Sequence, residues 1–311
     1  MKPPAFCHEL LFYDGADEFL AGTVPFVRAA LEAEEPALVA VGKAKIEMLE
    51  GELGDGAAHV RFVEMEELGR NPARIIPVWR DFVDENGGRD RPVRGIGEPI
   101  WPGRNAVEID ECQRHESLLN VAFGGAPAWS LLCPYDSAAL GDDVLEAARD
   151  CHPFVAHEGA SDENPACVDL GSSPSPFTGV LPLPPPGSEA FEFDRGTLHE
   201  VRGSVLHAAE SAGLSASRGA DLVTAASELA ANSVLHGGGR GTLGLWRERE
   251  ALVVEIGDSG RIEEPLVGRR RPAPTQHGGR GLWLVNQLCD LVQIRSGPEG
   301  TAVRLWTNLT D

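Results

Sequence analysis

Positive charge is scarce in this sequence. Its 311 residues carry 27 Lys and Arg against 48 Asp and Glu, a formal net charge of −21. Such a chain repels nucleic acid and anionic lipid, so direct binding to either is not expected. Long apolar runs are absent too. None approaches the ~18 residues that a membrane-spanning helix needs, and the first residues lack the apolar stretch and small-residue cleavage site of an export signal. The six cysteines, at 7, 112, 133, 151, 167 and 289, include no C-x-x-C pair. Reduced thiols and a cytoplasmic setting are the expectation.

What is present suits a soluble chain of about two domains of roughly 150 residues each, large enough to bury a core without staples. The acidic excess falls mostly before residue 190, and the remainder is near balance. Residues 156–190 contain Pro165, Pro174, Pro176, Pro182, Pro184, Pro185 and Pro186 and no basic residue. They read as an extended linker between a domain over 1–155 and another over 191–311.

Before the linker, short apolar runs (Glu9 to Tyr13, Ala37 to Val41, Val60 to Val63, Val93 to Gly97, Trp129 to Cys133) alternate with stretches of helical spacing. That order predicts a parallel α/β sheet. After it come two helices, Gly196 to Ala212 and Ser217 to His236. Antiparallel strands and a helix at Leu282 to Leu288 follow, the pattern of an α+β sandwich.

Four short patterns in the second half carry chemistry. In Glu228-Leu-Ala-Ala-Asn232-Ser-Val-Leu-His236, three polar residues recur every fourth position and line one helical stripe. Leu222, Val223, Leu229 and Leu235 supply the buried face. Asn232 offers a neutral oxygen suited to Mg²⁺, and Glu228 a carboxylate able to take a proton. Asp258-Ser-Gly260 follows an apolar strand, where a carboxylate can accept from an exocyclic amine and Gly260 permits close approach. His277-Gly278-Gly279-Arg280-Gly281-Leu282 opens a helix whose free N–H groups suit an anion. Thr301 enters the last strand after Gly300. Taken singly, these are a polar helix face, a turn, a flexible loop and a strand start.

In this order they resemble the GHKL ATPases, shared by histidine kinases, gyrase and Hsp90-type chaperones, and within them the RsbW/SpoIIAB-like anti-sigma factor serine kinases. The resemblance covers about residues 191–309 and extends to the helix at Leu198-His-Glu-Val-Arg202. It implies a GHKL-type α/β sandwich that binds ATP and Mg²⁺. Asn232 would hold the metal, Glu228 would be the base, Asp258 and Thr301 would serve adenine, and Gly260, Gly279, Gly281 and Leu282 would complete the nucleotide site. The segment from Pro265 to Pro274, with Arg269, Arg270 and Arg271, would be its lid. There arginines could pair with phosphate, meet an acidic partner or be simply solvated. Its prolines depart from the family pattern.

The first half resembles the MEDS sensory domain through His8-Glu-Leu-Leu-Phe-Tyr13, Gly97-Glu98-Pro-Ile-Trp101, Glu116-Ser-Leu-Leu-Asn120 and Leu132-Cys133-Pro-Tyr135-Asp136. That implies a RecA-like fold used for sensing. No P-loop occurs, since Val41-Gly-Lys-Ala-Lys45 is too short and lacks the hydroxyl after the lysine. His8, Glu98, Trp101, Glu116, Tyr135 and Asp136 are the candidate sensor residues, expected at the strand-end crevice. The pairs Cys7-His8 and Cys151-His152, and Cys112 with His115, have no metal-finger spacing, so a metal centre is not expected here.

The resemblance implies a regulator that transfers the ATP γ-phosphoryl group to Ser or Thr of an anti-anti-sigma factor of the STAS type, or holds a sigma factor. Self-association as a homodimer stays open. The alternatives are a sensor histidine kinase, with His199 or His207 as acceptor, and a non-catalytic ATP-dependent sigma-factor binder.

Overall fold

The computed structural model describes residues 6–87, 91–125, 128–157, 160–167, 177–273 and 279–310. The chain divides into two compact units, Met1–Ser173 and Pro174–Asp311.

In the first unit, strands and helices alternate. They are β1 (Phe6–Tyr13), α1 (Gly15–Glu32), β2 (Ala37–Val41), α2 (Lys43–Leu53), β3 (Val60–Glu64), α3 (Met65–Leu68), α4 (Ile75–Asn86) and β4 (Val93–Gly97). Then come α5 (Ala106–Phe123), β5 (Trp129–Asp136), α6 (Asp142–Cys151), β6 (Phe154–His157) and β7 (Ala160–Glu163). The sheet runs β3-β2-β4-β5-β1-β6-β7, parallel except at the outer pair β6–β7. All five residues of β2, Ala-Leu-Val-Ala-Val, are buried, as a strand covered on both faces requires. Phe19 and Val27 of α1 and Leu49 of α2 pack with Leu11, Tyr13, Val39 and Ile96 on one face. Each such burial contributes about 1.5–3 kcal/mol. On the other face Trp79 of α4 lies over Gly95, where a β-carbon would stand 2.8 Å from the indole.

The connections fix where a ligand can enter. From β2 the chain turns through α2 to the outer strand β3, while from β4 it turns through α5 the opposite way to β5. Their carboxyl ends, at Gly42 and Glu98, therefore part into a switch-point crevice.

The second unit is an antiparallel sheet, order β11-β12-β10-β9-β8, with, among the described residues, three helices packed on it. Its elements are β8 (Glu189–Asp194), α7 (Leu198–Ala212), α8 (Ala216–His236), β9 (Arg240–Glu248), β10 (Ala251–Asp258), α9 (Arg280–Leu288), β11 (Leu291–Gly297) and β12 (Gly300–Asn308). Val201 and Val205 of α7 and Leu222, Ala226 and Leu229 of α8 meet Leu243, Val254, Ile256, Val303 and Leu305 of the sheet in one core. Outside that core, Arg304 pairs with Glu255 at 2.5 Å and covers the Trp246 ring.

Three readings of the sequence need correction. The stretch over 156–190 is not all linker: β7 lies within it, β6 runs into it, and Phe177 joins the core of the second unit, with its carbonyl accepting from Ser296 N at 2.9 Å. Helix α6 was not anticipated, although Val144, Leu145, Ala148 and Cys151 have helical spacing and are buried. Leu235, expected on the buried face of its helix, is 64% exposed, because that face turns toward solvent in the last turn, where Ser233 is the last buried residue.

Candidate functional site

Helix α8 starts at a Ser215 cap, whose Oγ accepts from Arg218 N at 3.4 Å. Its Leu and Ala residues recur at core spacing, which leaves Glu228 and Asn232 half-buried on the neighbouring stripe and His236 exposed. Gly281, in the first turn of α9, comes against that stripe. A β-carbon there would stand 3.1 Å from both Asn232 Nδ2 and Glu228 Oε2. Gly279 caps α9 with φ of 73° and no side-chain cap. A helix that starts at a glycine without a side-chain cap suits an anion at its N-terminus.

At the other end, Asp258 closes β10. Its Oδ2 accepts from Ser233 Oγ at 2.6 Å and its Oδ1 from Gly260 N at 2.8 Å. Thr301, opposite Asp258 in the ladder, donates to the Gly260 carbonyl at 2.9 Å, and its Oγ1 lies 2.8 Å from Ser296 Oγ. Asn232, Asp258, Gly260, Gly279, Gly281, Leu282 and Thr301 all line one cavity of about 320 Å³. Leu229, Ile256, Val267 and Val303 give it apolar walls. Glu228 is not in that wall; its Oε2 lies beside Gly281, which is. An apolar slot lined by the Asp258 carboxylate, the Asn232 amide and the start of a helix suits a flat base joined to an anion.

The segment after Glu264 folds back on α9. Gly268, at φ of 72°, accepts from Asn286 Nδ2 at 3.0 Å. Arg269 is buried and Arg271 stands 5.9 Å from the Trp283 ring. Pro274, His277 and Gly278 lie outside the described residues.

In the first unit, the switch-point crevice holds a second cavity, of about 290 Å³, lined by Gly42, Lys45, Glu66, Glu98 and Trp101 among others. Lys45, in the first turn of α2, donates to Glu98 at 2.5 and 2.7 Å and to Tyr13 OH at 2.5 Å. Tyr13 OH donates to Glu98 Oε1 at 2.6 Å. Burial pushes the Glu98 carboxyl above the usual carboxylate range, although Lys45 and Tyr13 pull it back. Burial and the Glu98 charge drive the Tyr13 phenol well above its ordinary value.

Residues 7–153 match the family model described as the methanogen/methylotroph, DcmR sensory domain, MEDS. Residues 191–307 match that of the histidine kinase-like ATPase domain. The chain joins a MEDS domain to a histidine kinase-like ATPase domain. The ATPase domain implies nucleotide binding. No curated protein matches the chain. Among solved structures, the RsbU and RsbW domains of Rv1364c from Mycobacterium tuberculosis align with 67% of this chain and 49% of that one. The identity is 17% and the TM-score 0.28. This chain thus spans about half the length of that relative, a likeness too loose to decide activity or partners.

The sensor residues expected at one crevice of the MEDS domain do not all meet there. Glu98 and Trp101 line it. His8 and Glu116 do not: they meet each other at 3.1 Å inside the domain. The reason is strand parity, since His8 and Tyr13 lie an odd number of residues apart on β1 and point to opposite faces. Tyr135 is buried with its ring edge-on to His152, 5.7 Å between centroids. Asp136 caps a turn, accepting from Ala138 N at 3.1 Å and Ala139 N at 3.2 Å. Lys45, Tyr13, Cys133 and His152 were not singled out as sensor residues. Lys45 had a signal, a lysine just after the β2–Gly42 turn. His152 had none beyond its adjacent cysteine.

Burial and the neighbouring His152 push the His8 ring down to about 4, against the pull of Glu116 and Asn120. Burial alone would raise the Glu116 carboxyl, but the adjacent His152 and His8 rings hold it well below the carboxylate range. His152 is raised despite burial, by Cys151, Cys133 and Glu116. Among the described residues, no helix is long and apolar enough to cross a membrane.

Proposed function

We propose that the chain is a cytoplasmic, ligand-controlled regulator whose ATPase domain binds Mg²⁺-ATP and phosphorylates Ser or Thr of an anti-anti-sigma partner, and which holds a sigma factor when that partner is absent. The observation that carries the reading is that Asn232, Asp258, Gly279 and Gly281, from three separate elements and the turn before α9, line one cavity. Adenine would donate its amine to Asp258 Oδ1 or Oδ2, between apolar walls. The phosphates would meet the α9 amides, where Gly281 leaves room that a β-carbon would fill. That room lies beside the Asn232 amide, so the residues present fit a hard cation next to phosphate. When bound, Mg²⁺ would offset phosphate charge, with Asn232 as its protein ligand. Glu228, one turn earlier, would accept the proton of the attacking hydroxyl. Partner control would come from the MEDS domain, through a small polar ligand at the Lys45–Glu98 crevice.

The histidine-kinase alternative is less favoured. His199 and His207 lie exposed on α7, a 15-residue helix whose Val201 and Val205 are buried in the ATPase core rather than in a separate helical pair. The test uses the full chain with ATP and proteins it retains from its own cell. Calorimetric binding of ATP, lost in Asn232→Ala and Asp258→Ala, together with phosphoserine or phosphothreonine on a retained partner, is the expected result. ATP binding without any transfer would leave the non-catalytic sigma-factor binder. No ATP binding would overturn the site itself.

A further inference from the structure

Four side chains that the sequence keeps far apart meet inside the MEDS domain. His8 comes from β1, Glu116 from α5, Cys133 from β5, and His152 from the residue after α6. None is more than 1% exposed. One ligating atom of each lies within 4.8 Å of the other three, and among the described residues they form the one such group. His8 Nε2 stands 3.1 Å from Glu116 Oε2, His152 Nε2 stands 3.3 Å from the same oxygen, and Cys133 Sγ is 3.4 Å from His8 Nε2.

The far side of each ring decides what faces the centre. Asn120 Nδ2 donates to the Cys151 carbonyl at 2.9 Å, which turns its Oδ1 toward His8 Nδ1 at 3.2 Å. His8 Nδ1 therefore carries a proton, and Nε2 in the neutral ring presents a lone pair. His152 Nδ1 lies 2.7 Å from the Ala148 carbonyl, which can only accept, so the same holds there. With both rings neutral, two ring lone pairs and a carboxylate oxygen converge, with the Cys133 thiol as the sole donor; without a cation the rings take up protons and face Glu116 instead. Glu116 Oε1 has no hydrogen-bond partner, and His152 Nε2 makes no hydrogen bond of good geometry. A buried set of acceptors is costly unless extra protons or a cation join it.

A cation fits the spacing. Ligands at tetrahedral positions around zinc, with Zn–N about 2.0–2.1 Å and Zn–S about 2.3 Å, stand about 3.3–3.6 Å apart. The three separations given above come within a few tenths of an ångström of that. Asn120 and the Ala148 carbonyl are the outer partners that orient ligating imidazoles in metal sites. The mixed nitrogen, sulfur and oxygen set suits zinc rather than magnesium or calcium.

The geometry points to a buried zinc-class divalent metal centre formed by His8, Glu116, Cys133 and His152. Its four positions are all filled by protein, so it ties β1, β5, α5 and the end of α6 together and offers no open position to a substrate. As the metal–sulfur bond forms, the Cys133 thiol gives its proton to solvent. The inference is independent of the ATPase domain's function.

The test takes the full chain, purified without chelator. Metal content is measured by mass spectrometry, and the visible spectrum is recorded after exchange with Co²⁺. About one zinc per chain is expected, with a sulfur-to-cobalt charge-transfer band and the intense visible bands of four-coordinate Co²⁺. Cys133→Ser should lose the charge-transfer band, and His152→Gln should weaken metal binding about 100-fold or more. Cys112→Ser, which removes a buried thiol outside the cluster, should change neither. A wild-type chain that takes up neither zinc nor Co²⁺ would overturn the proposal and leave both rings protonated around Glu116. So would a charge-transfer band that survives in Cys133→Ser. The wild-type measurement stands even if the variants fail to fold.

Discussion

Ser233 donates its hydroxyl to Asp258 Oδ2 at 2.6 Å, fastening the α8 helix to the end of β10. The residue before it, Asn232, faces the same cavity. One helical turn thus both holds the Asp258 carboxylate and supplies the Asn232 amide. Removing the hydroxyl leaves Asp258 with one partner fewer and freer to turn. Ser233→Ala should weaken ATP binding roughly fivefold, about 1 kcal/mol. Titration calorimetry on variant and wild type decides it, and equal affinities would remove Ser233 from the site.

Gly281 is a steric requirement. Its missing β-carbon is the space beside Asn232 and Glu228. Gly281→Val should cost ATP about tenfold or more in affinity through 1–3 kcal/mol of overpacking. The same crowding exists without nucleotide, so the urea midpoint should fall as well, and affinity is compared on the fully folded variant. A valine variant that binds ATP normally would mean that phosphate does not lie against this turn.

Glu228 separates chemistry from binding. A general base typically contributes 10²–10⁴-fold. Glu228→Ala should keep ATP and partner affinity and lose about that factor in transfer, read with labelled ATP and the retained partner. Equal transfer rates would take the base role from Glu228.

Glu98 gives the MEDS domain a pH signature. Its carboxyl is raised in the folded chain, chiefly by burial. Between its unfolded value and that raised value the native state binds more proton than the unfolded state, so stability falls as pH rises, by up to ~1.4 kcal/mol per pH unit for a full proton. Glu98→Gln should flatten this slope. Urea unfolding across a pH series above the usual carboxylate range checks it, and identical slopes would show that Glu98 does not titrate there.

The ATPase domain was more legible in the sequence than the MEDS domain, for a physical reason. The Glu228–Asn232 stripe follows helical period, and Asp258 and Thr301 mark the end and the start of apolar strands. Local pattern therefore carries their placement. Ser233 gives no such signal, because a serine in a helix usually bonds its own backbone, as it also does here to the Leu229 carbonyl at 3.2 Å. In the MEDS domain, Lys45, Tyr13 and Glu98 meet only because β1, β2 and β4 end at one crevice, and no local spacing announces that. Strand parity, which sends His8 away from the crevice, was readable along β1, but its use required knowing which face the crevice opens on. The strands β6 and β7 are four residues each and lie at the edge of Pro- and Gly-rich chain, too short to show a period.

The last strand on one side of each sheet is acidic. All four residues of β7, Ala-Ser-Asp-Glu, are exposed, and β8 exposes Glu189, Glu192 and Asp194. An outer strand offers unpaired backbone to any passing copy, and side-chain charge is a common safeguard. Two such strands drawn together would set carboxylates against carboxylates. At neutral pH these chains should resist stacking edge to edge. Near the isoelectric point of about 4.8, that protection weakens, and storage there invites aggregation.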